Sequence, residues 1–230
     1  MKTAHVTYNK ALSLLPPSSS EMDPSQFTSF HQVPGVPGGL EPLLSLNSLI
    51  IEFAGVLDVD SFIKTSSEEL LYSSHNNFEC CDCTGESSRE ILLNDNYGRP
   101  VMQFIRVYET CCRNAWSSET MIVQAPAGSE VGRINMTPGF FSSTFTIHDA
   151  TGRLLASFER DMTKLLGFAY DFTTPVTGGL LLQLGTMERS VGCSPVMNVR
   201  FDNVPDYRLK VLMIAAAYLV LLLRRENRKS

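Results

Sequence analysis

No apolar run in this 230-residue chain reaches the length of a bilayer span. The run closest to it comprises Val211, Leu212, Met213, Ile214, Ala215, Ala216, Ala217, Tyr218, Leu219, Val220, Leu221, Leu222 and Leu223, with Arg208 and Lys210 before it and Arg224 and Arg225 after it. As a helix it rises roughly 20 Å, against a hydrocarbon core of about 30 Å. Apolar on every side, it suits a helix buried all round, and a closed β-barrel wrapped around it offers such burial. The second reading is a tilted span or membrane-inserted tail, because bilayer thinning and snorkelling basic residues rescue short spans.

Positive charge is also scarce. A formal net charge of −5 leaves no electrostatic footprint for nucleic acid, and DNA or RNA binding is not expected. The opening residues, MKTAHVTYNK, lack the apolar stretch of a secretory signal, which predicts that the bulk of the chain is cytosolic. The six cysteines, Cys80, Cys81, Cys83, Cys111, Cys112 and Cys193, are then expected as thiols rather than a disulfide framework. Adjacent cysteines rarely bind one metal together, so a zinc site is not expected either. Two readings remain for the clusters: loop thiols without function, and S-acylation, which favours intracellular cysteines near a membrane. Catalytic signatures are missing as well. His5, His31, His75 and His148 are scattered, no G-x-S-x-G, Walker loop or metal-spaced His pair occurs, and no covalent chemistry is expected.

What is present falls into three parts. Residues 1–39 are rich in Ser and Pro and predict a disordered tail, which lacks basic-flanked P-x-x-P and P-P-x-Y motifs and serves as a linker or a site for protein partners. Residues 40–225 form the domain, including a helix over 209–224, and 226–230 a short polar end. Within the domain, Leu43 to Phe53 predicts a short helix. Beyond it, short apolar or alternating runs separated by turn residues predict antiparallel hairpins. One turns at Asp95-Asn96-Tyr97-Gly98, one at Pro126-Ala127-Gly128 and one at Asp149-Ala150-Thr151-Gly152, and Leu180 to Leu184 adds a strand. Two of the hairpins repeat each other: LNDNYGRPVMQFIR (Leu93 to Arg106) and IHDATGRLLASFER (Ile147 to Arg160) share Asp, Gly-Arg, Phe and a closing Arg at identical spacings. Asp and Gly are what a tight turn needs, and Arg99 and Arg153 read as solvated charges beside it. A duplicated β meander followed by one apolar helix predicts a mainly β fold, a closed antiparallel barrel around that helix.

The stretches PGGLEPL, NDNYGRPV, IVQAPAGSEVGRI (residues 122–134), FTIHDATGRLL and RLKVLMIAAAYLVLLL, in that order, make the chain resemble the phospholipid scramblases from about Pro37 to about Arg225. The resemblance implies a tubby-like fold, a β-barrel closed around the hydrophobic C-terminal helix. It also implies an ATP-independent, calcium-stimulated movement of phospholipids between leaflets. The protein is then expected at a membrane, the plasma membrane foremost, with its domain on the cytoplasmic side. The alternative is a tubby-like adaptor that binds anionic headgroups or proteins and moves no lipid.

Carried over residue by residue, the resemblance places the calcium segment on Cys193 to Asp206. Acidic positions of the pattern fall on Cys193, Pro195 and Val204, leaving Asp202 and Asp206 as carboxylates, of which only Asp206 sits on an acidic position of the family. Calcium takes six to eight oxygens, so a weak site at best is expected. The palmitoylation run overlies residues 112–117 and keeps Cys112, with Cys111 beside it, while Cys80, Cys81 and Cys83 match a second cysteine cluster. The basic import segment of the family falls near Leu181 to Met187, where this chain has no basic residue.

Overall fold

The computed structural model describes residues 33–54, 60–74, 88–108, 118–140, 142–161, 169–176, 179–190, 196–202 and 204–226. These residues form a one-turn helix α1 (Pro42–Ser45), the strands β1 (Ser48–Phe53), β2 (Ser61–Thr65), β3 (Leu70–Ser74), β4 (Ser88–Asp95), β5 (Pro100–Tyr108), β6 (Glu119–Gln124), β7 (Glu130–Pro138), β8 (Ser142–Asp149), β9 (Leu154–Asp161), β10 (Ala169–Pro175), β11 (Leu181–Arg189) and β12 (Val196–Phe201), and a helix α2 (Tyr207–Glu226). Each strand pairs antiparallel with its neighbours in sequence. β12 returns to β1 through Leu49–Val199 and Ile51–Met197, which closes the sheet into a barrel.

Alternation decides which side chains face inward. Leu49, Ile51 and Phe53 of β1, Met121 and Val123 of β6, and Phe145 and Ile147 of β8 are buried, while the residues between them are partly exposed. A slip of one residue in any of these pairings would turn an apolar set outward, so burial fixes the register. The turns contribute through Asp. Asp95 Oδ1 accepts from the backbone N–H groups of Tyr97 and Arg99, both at 2.9 Å, and Asp149 Oδ1 accepts from those of Thr151 at 2.9 Å and Arg153 at 3.0 Å. Gly98 and Gly152 follow with φ of 74° and 85°, the left-handed conformation these turns require. The repeated segments are therefore the hairpins β4–β5 and β8–β9. Arg99 and Arg153 are exposed as expected, and each also pairs with the Asp of its own turn.

The expected helix over Leu43 to Phe53 is corrected. Only Pro42–Ser45 is helical; Leu46 is extended and Ser48–Phe53 is β1. The apolar residues of SLIIEF alternate, and pairing with both β12 and β2 satisfies the backbone of this segment on two sides, which outweighs local helix preference. Of the segment expected to be disordered, residues 33–39 form turns against the barrel. Val36 N donates to Val33 O at 3.0 Å, and Tyr72 donates to the Gly39 carbonyl at 2.9 Å. Gly39 has φ of 88°, and a Cβ there would strike Val101. Residues 1–32 lie outside the described residues.

α2 fills the barrel, and the span reading of this segment is replaced by the core reading. Every residue from Val211 to Val220 is fully buried. Its side chains meet strands well apart in the ring: Tyr218 packs edge-on against Phe53 of β1 and Phe104 of β5, each with centroids 5.5 Å apart. Glycines admit the helix elsewhere. A Cβ on Gly132 of β7 would lie 3.1 Å from Leu212, and one on Gly185 of β11 would lie 2.9 Å from Met213; both would also strike a carbonyl of the adjoining strand. No helix among the described residues is long and apolar enough to cross a membrane.

Candidate functional site

The expected functional elements are the apolar helix, the acidic window before it and the two cysteine clusters. The helix is held by polar contacts as well as by packing. Tyr218 OH lies 2.7 Å from Ser61 Oγ, which lies 2.6 Å from Ser74 Oγ, all three buried. Burial pushes the Tyr218 hydroxyl well above the ordinary tyrosine value, the serines opposing it, so the phenol stays neutral and bridges helix to sheet. At the other end of the helix Lys210 is buried. Its Nζ donates to the carbonyls of Leu43 and Leu46 at 2.7 Å and of Leu44 at 3.2 Å, and lies 5.5 Å from the centre of the Phe201 ring. The ammonium thus ties α2 to the carbonyls that α1 leaves open at its C-terminus.

A second polar feature comes from the repeat. Its closing arginines, Arg106 and Arg160, are both buried. Arg106 Nε donates to Glu119 Oε2 at 2.7 Å, the two side chains being 0 % and 3 % exposed. Arg160 is held below the ordinary arginine value by burial, with the Tyr170 hydroxyl opposing that shift. Neither was singled out from the sequence, yet a signal existed. Phe104 and Arg106 are two residues apart, as are Phe158 and Arg160, so in a strand each Arg shares the inward face of its Phe.

Among the described residues of the acidic window, the two candidate carboxylates do not converge on a common point. Arg200 Nε donates to Asp202 Oδ1 at 3.1 Å, and Asp206 Oδ1 accepts from the backbone N–H of Arg208 at 2.9 Å, the bond of a helix N-cap. One carboxylate neutralises an arginine and the other caps α2, where hard oxygens free to converge are needed. Cys193 lies outside the described residues, and Val204 is buried. Among the described residues, no group of three or more His, Cys, Asp or Glu side chains is placed to hold a metal ion. Of the two carboxylates expected to bind calcium, each already has a partner within the described residues, and no step is assigned to the ion.

Cys80, Cys81, Cys83, Cys111 and Cys112 lie outside the described residues. In sequence they fall between β3 and β4 and between β5 and β6. Comparison with protein-family models, with curated proteins and with solved structures finds no match for this chain.

Proposed function

We propose that this protein is a scramblase-like membrane protein that works from the cytoplasmic surface, promoting ATP-independent exchange of phospholipids between leaflets without covalent chemistry. The observation that supports the reading is the barrel closed around a hydrophobic helix, the architecture that the scramblase resemblance implies. Uncatalysed flipping is slow because a charged headgroup must be buried in hydrocarbon. With α2 enclosed by strands, this helix offers no track through the bilayer, so the reading assigns the effect to local thinning or to assemblies at the surface. Acylation of the cysteine clusters supplies the anchor in this scheme, since one acyl chain alone anchors marginally. The plasma membrane is the proposed location.

A second reading is favoured by the same enclosure of α2. A barrel that spends its apolar helix internally suits an adaptor that binds anionic headgroups or proteins and moves no lipid. A flip assay separates the two, using the full chain reconstituted with vesicles carrying a fluorescent phospholipid, with calcium and with chelator. The scramblase-like reading expects inner-leaflet label to become accessible without ATP, at a rate unchanged by micromolar calcium. Vesicle binding with the label still protected leaves the adaptor.

A further inference from the structure

Among the described residues, the largest cluster of exposed aliphatic side chains lies on the hairpin between β10 and β11. Leu180 is 69 % exposed, Leu181 67 %, Leu182 45 % and Val176 39 %. Leu154, 39 % exposed, belongs to the same end: it stands three residues from Ser157 just as Val176 stands three residues from Thr173, and Ser157 pairs with Thr173. Single exposed leucines are ordinary on a protein surface, but a contiguous group on one projecting tip is not. The hairpin is closed by Val176 N donating to Leu180 O at 2.9 Å.

Three observations define what covers this tip. Leu181 and Leu182 are consecutive in a strand and therefore point to opposite faces, so both faces of the tip are apolar. A flat protein partner covers one face of a hairpin, whereas a fluid medium surrounds both. Secondly, no charged residue occurs from Phe172 to Met187, although the chain as a whole carries a net charge of −5. Thirdly, among the described residues β11 runs past β12: Gly185 pairs with Phe201 and Leu184 O accepts from Asp202 N at 2.7 Å, while Leu181, Leu182 and Gln183 pair with β10 alone. The open edge of β11 still needs hydrogen-bonding partners, which hydrocarbon cannot supply and headgroups and water can. Such a tip seats at the boundary between headgroups and acyl chains, roughly 5–10 Å deep, and goes no further.

We propose that the β10–β11 tip is a membrane-insertion element that places Val176, Leu180, Leu181 and Leu182 in the interfacial layer of a phospholipid bilayer. The proposal rests on reading the chain as a membrane-surface protein and names its contacting surface. The tip lies at the end of the barrel where α2 begins. Because the tip is uncharged, insertion is driven by apolar area and responds little to salt or to the fraction of anionic lipid.

The test uses the full, unacylated chain in flotation with phosphatidylcholine vesicles and with vesicles containing added phosphatidylserine. Wild type floats with both, and the triple variant Leu180→Ser, Leu181→Ser, Leu182→Ser loses about a hundredfold in partitioning while keeping the melting temperature of wild type. In a second measurement, the indole introduced by Leu181→Trp, in a Trp116→Phe background, is quenched by brominated phosphatidylcholine. Equal flotation of the triple variant, an unquenched indole, or no flotation of wild type overturns the proposal. So does sedimentation showing that wild type is a dimer without lipid and the triple variant a monomer, since the tip's occupant is then a second copy. Failure of the functional reading looks different: wild type that inserts but flips no lipid removes scrambling and leaves the insertion element standing.

Discussion

The buried pair Arg106–Glu119 is the residue-scale feature with the largest leverage. Removing one partner of a buried ion pair leaves the other charge unmatched, at a cost of about 3–5 kcal/mol, whereas replacing both with apolar residues of similar volume is often neutral. Glu119→Gln is therefore expected to lower urea stability by a few kcal/mol, and Arg106→Met with Glu119→Leu to recover most of the loss. Equal losses in the single and double variants would show that the pair does not act as a unit. The turn carboxylates have a different signature. Partial burial disfavours ionised Asp95, but hydrogen bonds from the Arg99 side chain and from the N–H groups of Arg99 and Tyr97 outweigh it and hold the carboxyl below the ordinary aspartate value. The Thr151 hydroxyl, with the Arg153 and Thr151 N–H groups, does the same for Asp149. Both sites bind fewer protons folded than unfolded, so the stability they add is present above the unfolded value and lost as pH falls through the folded one. Unfolding by urea should become easier below about pH 4, and Asp95→Asn with Asp149→Asn should flatten that acid limb while lowering stability at neutral pH. These aspartates were legible in the sequence because turn chemistry is local. The inward arginines were overlooked because a repeat shows which residues recur and says nothing of the face they take until strand period is applied.

At the scale of elements, α2 was legible as a helix and as an apolar one, and the choice between membrane and core was not. A run that is apolar all round carries no directional pattern, so only its surroundings decide what it faces. Those surroundings are the strands themselves. Ala216 is fully buried, and an aspartate there would place a carboxylate in a dry interior at a cost of several kcal/mol, comparable to much of a domain's net stability. Ala216→Asp is expected to unfold the whole barrel, seen as loss of near-ultraviolet circular dichroism and of soluble yield; a folded Ala216→Asp protein would remove the helix from the core. The segment that holds β1 was misread as helix for a related reason: the apolar residues of LLSLNSLII (residues 43–51) suit both periods over so short a window, and of the two strands that pair with β1, β12 lies far away in sequence.

For the whole molecule, the meander of hairpins was legible and its closure only as an inference from the helix needing cover. The pairing of β1 with β12 joins residues such as Ser48 and Arg200, a non-local contact that no turn residue encodes. Deleting residues 211–230 leaves this closed sheet with an apolar interior and nothing to fill it, and aggregation on expression is expected, measured by the soluble fraction against the full chain. A soluble, monomeric truncation would show that the sheet stands without its filling. The order of the elements has a further consequence for how the protein is made. Synthesis proceeds from the N-terminus, and the helix that the strands enclose follows all of them in the chain. Until β12 and α2 have been made, the earlier strands have neither their core nor the partner that closes the ring. The barrel is therefore completed only once its last two elements exist, and before that the nascent sheet carries open edges and apolar faces, the condition in which chains aggregate.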